Sequence, residues 1–449
     1  MKVVRRYRTR VTTPPLRSTD ATGAPHESAA PLRRFRPAFW FGGWNGVTWM
    51  ISLGTPMVLL AQHLGASAFQ VGLASSFAFL LLPIQVVATA ALPYFGFRRQ
   101  MVSAWLTRAA FLLVPLGLAW AEFDDPQPWM PWALVASVFG FCLCRSFGTA
   151  AHLPWMAVIV PLELRGRFFA TDHAVTSMVG VGTLLACAAL FAGLPAYEAF
   201  RVVYAAALIG AMLAVWNLAR LPAAAAPAAP PLRAMAGRAL RLCTQPGRFR
   251  HYLLVASTGS AVVTSSFVPF TVYYLKVERG LASSELMLFT AAQFAGQILG
   301  AAGIRGRVDR MPLPRFFQLA LLALGAVDIF WLCLLVGFDA LLAWVGLSFF
   351  LFGLGLGITN VAHFTYLPEL AGDEERPVTM AIFTAAQGLL SGLAPMLWGL
   401  ALRESGTVPG MRVENFVVFF LVATAVSALL LVLYGRLPDL RPGFRRARP

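Results

Sequence analysis

The residues best placed to act on a charged solute lie in the apolar run 132–160. Arg145 is near its middle, and Gly148, His152 and Trp155 follow it on one helical face. A cation at that depth in a bilayer costs about 3 kcal/mol or more unless it faces water or a partner. One role for Arg145 is therefore to contact an anionic or zwitterionic group of a solute. The alternative is a structural role, in which it caps backbone carbonyls or pairs with an acid within the protein.

Other polar side chains recur in the first, seventh and tenth apolar runs. Polar groups in such runs are expected to face the protein interior, although small hydroxyls also serve helix packing. The histidines of the fourth and tenth runs, His152 and His363, could titrate during a transport cycle or act as hydrogen-bonded gate residues. The candidate residues of a solute pathway are Arg145, Asn45, Trp44, Thr48, His152, Thr264, Asn360 and His363.

Two aspartates are candidates for coupling to protons. Asp328 lies in the middle of an apolar run, where it must be protonated or paired. Its alternative role is a local contact between helices. Asp172 begins another run, where Arg108 or Arg165 could neutralise it, so a salt bridge or gate is the alternative there.

Short basic loops carry candidate gates. Glu163 and Arg165 recur 211 residues later as Glu374 and Arg376, and we expect these pairs to act as latches on the cytoplasmic side. Asp309 and Arg310 form a third candidate gate.

Composition identifies the solvent of the chain. Hydrophobic residues make up 58% of the 449 positions, charged residues 12%, and the mean hydropathy is +0.69. A soluble domain carries about 25% charged residues, so this chain is expected to be an integral membrane protein. The net charge of +16 is spread over short segments between apolar runs, which argues against a nucleic-acid partner.

Spanning helices need about 20 apolar residues each, and twelve such runs occur. We therefore predict an all-α membrane protein of twelve transmembrane helices in two bundles of six. The predicted parts are a disordered basic tail (1–37), a first bundle (38–219), a linker (220–250), a second bundle (251–435) and a basic tail (436–449).

The distribution of basic residues predicts the orientation. If both termini are cytoplasmic, the cytoplasmic segments hold 29 of the 36 Lys and Arg residues, in agreement with the positive-inside rule. Arg outnumbers Lys by 34 to 2, which suggests a GC-rich bacterial gene and hence an inner membrane.

The two halves repeat each other, and their plan resembles a known family. Ala151-His152-Leu153 and Trp155 match Ala362-His363-Phe364 and Tyr366. Gly96-Phe97-Arg98-Arg99 is similar to the end of a loop motif of the major facilitator superfamily, without its aspartate, and Gly306-Arg307-Val308-Asp309-Arg310 keeps the Asp-Arg. Arg145 with Gly148 loosely resembles that family's motif in its fourth helix. The resemblance implies a cavity lined by spans 1, 4, 7 and 10 and rocking of one half against the other.

These observations favour a secondary transporter of a small solute, with protons as a candidate coupling ion. The alternatives are a non-transporting scaffold or sensor on a transporter fold, and a membrane-embedded enzyme. The chain has no nucleotide motif and no metal-ligand spacing, so we expect no cofactor, no metal and no enzymatic activity. Its partners would be the solute and the bilayer, and we expect a monomer.

Overall fold

The computed structural model describes residues 30–120, 127–224, 237, 241, 244, 247–305, 307, 311–337, 341–370, 376–402 and 413–438. A short helix, Ala30–Arg33, precedes twelve helical segments. The first six are α1 (Arg36–Leu53 and Thr55–His63), α2 (Ala68–Leu80, Ile84–Ala88, Thr89–Ala91 and Leu92–Phe95), α3 (Phe97–Ala110 and Leu113–Trp120), α4 (Trp129–Ile159), α5 (Leu162–Gly193) and α6 (Ala196–Ala219). The second six are α7 (Arg248–Gly259, Ser260–Thr264 and Phe267–Val277), α8 (Ser283–Arg305), α9 (Leu313–Leu335), α10 (Leu342–Tyr366, then Leu367–Leu370), α11 (Arg376–Ala401) and α12 (Val413–Gly435).

Length and apolar composition suit these helices to a membrane. Within the described ranges, nine helices are long and apolar enough to span one, and α2 adds a tenth if its two arms, bent by 41°, form one span. The prediction of an all-helical membrane protein is confirmed. The count of twelve spans stays a prediction for α1 and α11.

Parts of the predicted domain plan fall outside the described residues. These are the tail 1–37 as far as residue 29, most of the linker 220–250, and the second tail beyond residue 438. From Ala30 the predicted first tail is helical, and Phe35 is buried. The predicted domain boundaries otherwise stay predictions.

Two helices are interrupted near the middle of the molecule. α1 breaks at Gly54, and Pro56 stands in the first turn of the second arm, where its missing N–H costs nothing. α7 contains a π-helical turn at Ser260–Thr264, which widens the helix locally. Both irregular segments border a cavity, as expected for non-helical backbone at membrane depth.

Close helix packing builds each half and joins the two. α1 packs on α5 and α6, α8 packs on α10, and α9 packs on α12. Between the halves, α2 packs on α11 and α5 packs on α8. A β-carbon on Gly72 of α2 would lie 2.4 Å from the Pro395 carbonyl oxygen of α11, so these two backbones touch.

The two ends of the bundle are held by different contacts. We call the end where α6 finishes and α7 begins the linker end, and the other the far end. At the linker end, Trp155 Nε1 donates to the Pro222 carbonyl oxygen at 3.0 Å, and Tyr366 Oη donates to the Pro438 carbonyl oxygen at 3.0 Å. At the far end, Arg201 Nε donates to the Ala119 carbonyl oxygen at 3.0 Å.

Candidate functional site

Two adjoining cavities lie between the halves of the molecule. The first has a volume of about 500 Å³, and we call it the carboxamide cavity because Gln293, Gln297, Gln387 and Asn360 line it. The second, of about 690 Å³, is the arginine cavity, which Arg108 and Arg145 line. Residues of both halves line each cavity. The two cavities share Trp49, Met50, Phe294, Gln297 and Asn360.

Arg145 on α4 contacts two neighbouring helices, through a hydrogen bond to α2 and an aromatic ring of α1. Its Nη1 donates to the Ala78 carbonyl oxygen of α2 at 2.9 Å. Its Cζ lies 4.3 Å from the ring centroid of Trp49 on α1, a distance at which a cation is attracted to the ring. Arg145 therefore lies where α1, α2 and α4 meet the wall shared by the two cavities.

Arg108 is a second cation in the same cavity, and it is fully buried. Its Nη2 donates to Asn45 Oδ1 at 2.8 Å, and Trp105 Nε1 donates to the same oxygen at 3.1 Å. Its Cζ lies 4.6 Å from the ring centroids of both Trp105 and Phe141. Its Nε and Nη1 have no hydrogen-bond partner among the described residues.

The carboxamide cavity offers uncharged hydrogen-bonding groups. Gln387 Nε2 donates to Ser260 Oγ at 3.2 Å, in the π-helical turn of α7. Gln293 is buried, and its Oε1 has no partner among the described residues. Such groups fix the orientation of a bound molecule without selecting its charge.

The two histidines of the sequence repeat line different cavities. His152 lines the arginine cavity and packs its ring 5.7 Å from that of Phe41. His363 lines the carboxamide cavity, and its Nδ1 shares a hydrogen bond with the Tyr252 hydroxyl. Aromatic rings of Phe317 and Phe383 also pack on His363.

Six of the eight predicted pathway residues line a cavity, and two do not. Arg145, Asn45 and His152 line the arginine cavity, Thr264 and His363 the carboxamide cavity, and Asn360 both. Thr48 is buried against α6, where its hydroxyl donates to the Ala207 carbonyl oxygen at 3.2 Å. Trp44 packs with the apolar cluster near the linker end. Thr48 and Trp44 thus serve the contact of α1 with its neighbours.

The two candidate coupling residues lie in different environments. Asp328 is buried between α9 and α12, accepts a hydrogen bond from Ser427 Oγ at 3.1 Å, and lines neither cavity. Asp172 packs against α1, because a β-carbon on Gly42 would lie 2.5 Å from its Oδ1. Among the described side chains, Asp172 forms no ion pair with Arg108. Asp328 thus makes the local contact between helices that was its alternative role, and the salt bridge or gate considered for Asp172 stays a prediction.

The candidate cytoplasmic gates lie outside the part of the chain that can be described. This applies to Asp309, Arg310 and Glu374 as whole residues, and to the side chains of Glu163, Arg165 and Arg376. Their role as latches stays a prediction.

The far end of the cavities is closed between the halves. The hydroxyl oxygens of Thr55 on α1 and Thr290 on α8 lie 2.6 Å apart, and both side chains are buried. At the linker end, the arginine cavity reaches Phe364, whose side chain is 70% exposed. The arginine cavity therefore extends to the part of α10 nearest the linker end.

Sequence reasoning missed three prominent residues of the site. Trp49 belongs to both cavities, and Arg108 and Trp105 line one. The rule that selected Arg145, a cation within an apolar run, also applies to Arg108. No comparable signal marked Trp49, since tryptophans in membrane helices often anchor the interface instead.

Comparison with known proteins agrees with this arrangement. The family model of the Major Facilitator Superfamily matches residues 45–395 and 253–449. No curated protein sequence matches the chain.

Among solved structures, a D-xylose–proton symporter aligns with a TM-score of 0.67 at 15% identity, over 92% of this chain and 99% of its own. A peptide transporter, POT, gives 0.69 at 14% identity over 91% and 95%. The nucleoside transporter NupG gives 0.65 at 11% identity over 90% and 99%. These likenesses show the fold of a transporter, and with the family match over most of the sequence they establish that the chain belongs to the Major Facilitator Superfamily.

Proposed function

We propose that the chain is a secondary transporter that moves a small solute across a bacterial inner membrane by alternating access. The observation that carries this proposal is a pair of cavities that both halves line and that Thr55 and Thr290 close between the halves at the far end. In such folds one half rocks against the other around a central site. The carboxamide and arginine cavities together would form the solute pathway.

The conformation would be inward-facing if the linker end is cytoplasmic. The positive-inside rule places the basic linker and both termini on that side.

Protons are the candidate coupling ion. The symporter among the similar structures couples xylose to protons, as its name states. In this chain, His152 and His173 line the arginine cavity together with both arginines, whereas Asp328 lines neither cavity. Coupling through His152 would place the proton and the solute in one cavity.

Alternating access can be tested without knowing the solute. In a variant with all five cysteines replaced by serine, Thr149→Cys would report on the arginine cavity, which Thr149 lines. A membrane-impermeant thiol reagent should label this cysteine from either side of oriented vesicles. Adding Thr55→Cys and Thr290→Cys and oxidising the pair should abolish labelling from the far-end side alone, and reduction should restore it.

The matched control is Ala196→Cys, at an exposed position on the far end. It should be labelled from the far-end side before and after oxidation. If Thr149→Cys is never labelled from that side while Ala196→Cys is, the cavity does not alternate. The scaffold or sensor would then replace the transporter as the proposed function.

A further inference from the structure

The charge of the cavities is unbalanced. Arg108, Arg145, His152 and His173 line the arginine cavity, and no Asp or Glu occurs among the described residues that line either cavity. Uncompensated cations in a low-dielectric interior are costly, and membrane proteins keep them where they are used. The two guanidinium groups line the same cavity.

Part of the hydrogen-bonding capacity of Arg108 is unused. Its side chain is fully buried and lines the arginine cavity, yet Nε and Nη1 have no partner within the described part of the chain. Unpaired guanidinium N–H groups can donate charge-assisted hydrogen bonds to the oxygens of a carboxylate, sulfonate or phosphate. Two buried donor nitrogens of one cation therefore have no acceptor among the described side chains.

A bound ammonium group would find no carboxylate partner among the described residues that line the cavities. Ammonium groups are recognised by carboxylates or by the faces of aromatic rings. The two tryptophan rings of the arginine cavity, Trp49 and Trp105, already carry the guanidinium groups of Arg145 and Arg108, which would repel a further cation. These observations favour a net anion over the zwitterion that the sequence alone left open.

The adjoining carboxamide cavity would receive the remainder of such a molecule. Its volume of about 500 Å³ lies within the range of small-molecule sites. Gln293 and Gln387 supply neutral polar contacts, while Phe294 and Phe352 supply apolar ones. An uncharged body with polar and apolar parts fits this lining.

We infer that the solute is an organic anion whose charged group binds between Arg108 and Arg145 while its uncharged body occupies the carboxamide cavity. This inference rests on the proposed function, because it takes the two cavities as the solute pathway. The two arginines are then the binding residues. Asn45 positions Arg108, and Trp49 positions Arg145.

The test uses compounds with one body and different charges. Benzoate, phenylphosphate and benzenesulfonate are compared with benzamide and benzylamine, and a second set replaces phenyl by naphthyl. The full chain is purified in detergent, and an apparent Kd is taken from the rise of its unfolding temperature with concentration. At least one class of anion should stabilise the protein in a saturable way, whereas the amides and amines should not. The ranking of the three anions identifies the charged group.

Variants then assign the binding to the two arginines. Arg145→Gln and Arg108→Gln should each weaken anion binding by about 10- to 100-fold, the usual effect of losing a hydrogen bond to a charged group. The control is Arg201→Gln. Like Arg145, Arg201 donates to a backbone carbonyl and lies over a tryptophan ring, but it lines neither cavity. Its substitution should leave the apparent Kd unchanged.

Asn45→Asp provides a second variant in case the arginine variants do not fold. The carboxylate would accept the same hydrogen bonds from Trp105 and Arg108, and it would neutralise Arg108 in place. Anion binding should weaken by at least about 10-fold, while the unfolding temperature without ligand is maintained.

Several results would overturn the inference. They are equal stabilisation by anion, amide and amine, no stabilisation by any anion of either set, or anion binding that survives both Asn45→Asp and Arg145→Gln. The cysteine-labelling experiment is independent of these results. Alternation without anion binding would reject the solute class alone, and anion binding without alternation would reject transport alone.

Discussion

The Asn45 side chain on α1 accepts hydrogen bonds from two side chains of α3. Its Oδ1 receives Trp105 Nε1 and Arg108 Nη2, and this places the Arg108 guanidinium in the arginine cavity. The sequence indicated that Asn45 would face inward, because a carboxamide in an apolar span seeks a polar partner. It could not indicate which partner, since Trp105 and Arg108 lie about 60 residues away along the chain.

Asn45→Ala should destabilise the protein by about 1–2 kcal/mol, because it removes two interhelical hydrogen bonds, one of them to a charge. Thermal unfolding in detergent, followed by size-exclusion chromatography, measures the effect. Asn217→Ala is the control, since the side-chain hydrogen bond of Asn217 within the described part of the chain goes to the Leu213 carbonyl oxygen of its own helix. Equal effects of the two substitutions would contradict the role given to Asn45.

Asp328 tests where coupling resides. Because Asp328 lies between α9 and α12 and lines neither cavity, Asp328→Asn should leave anion affinity and any proton-driven uptake within about 2-fold of wild type. Its amide oxygen can still accept from Ser427, so stability should change by less than about 1 kcal/mol. Uptake driven by an imposed pH gradient is the readout. Loss of that uptake with anion binding intact would restore Asp328 as a coupling residue.

At the scale of helices, the sequence located most elements and missed their irregularities. The apolar run 132–160 predicted α4, Trp129–Ile159, within three residues at either end, and Pro56 lies beside the break in α1. The π-helical turn Ser260–Thr264 has no proline or glycine within it to signal it. The sequence also assigned Thr48 of α1 to the solute pathway, whereas its hydroxyl contacts α6 and not a cavity.

Two matching hydrogen bonds, one in each half, accompany the sequence repeat, and the repeated motifs did not predict them. Trp155 and Tyr366 each bind a proline carbonyl just after the last helix of their own half, at Pro222 and Pro438. Both prolines belong to an Arg-Leu-Pro triplet, at 220–222 and 436–438. Each half thus ties its fourth helix to its sixth at the linker end.

Tyr366→Phe should lower the free energy of unfolding by about 0.5–1 kcal/mol, because it removes the hydrogen bond to Pro438 and little volume. The unfolding temperature in detergent reports this loss. Tyr94→Phe is the matched control, since the Tyr94 side chain is 86% exposed. If the control loses as much as Tyr366→Phe, the tie between α10 and the end of α12 does not stabilise the second half.

The contact of α8 with α10 depends on glycine. A β-carbon on Gly353 would lie 1.8 Å from the Gln293 carbonyl oxygen. Gly353→Ala should therefore force the helices apart and cost about 1–3 kcal/mol, with reduced yield of monodisperse protein. Gly182→Ala on α5 meets nothing within 4 Å and should be neutral or slightly stabilising. A normal yield and unfolding temperature for Gly353→Ala would contradict this packing.

At the scale of the whole molecule, the predicted two-bundle plan is confirmed by the helix arrangement and by the family match. Apolar runs and basic loops suffice for such a prediction because the bilayer restricts spanning structures to few types. The closure of the far end could not be predicted from the sequence, since it depends on how α2 packs on α11 and on the contact between Thr55 and Thr290.

Reciprocal motion of the two ends is the central claim, and paired spin labels measure it directly. In the cysteine-free variant, one pair at the exposed positions Arg99 and Arg315 spans the halves at the linker end, and another at Ala196 and Ala282 spans them at the far end. Pulsed dipolar spectroscopy should resolve two distances for each pair. Oxidising Thr55→Cys with Thr290→Cys should collapse the far-end pair to its shorter distance and the linker-end pair to its longer one. A single unchanging distance for both pairs would contradict alternating access.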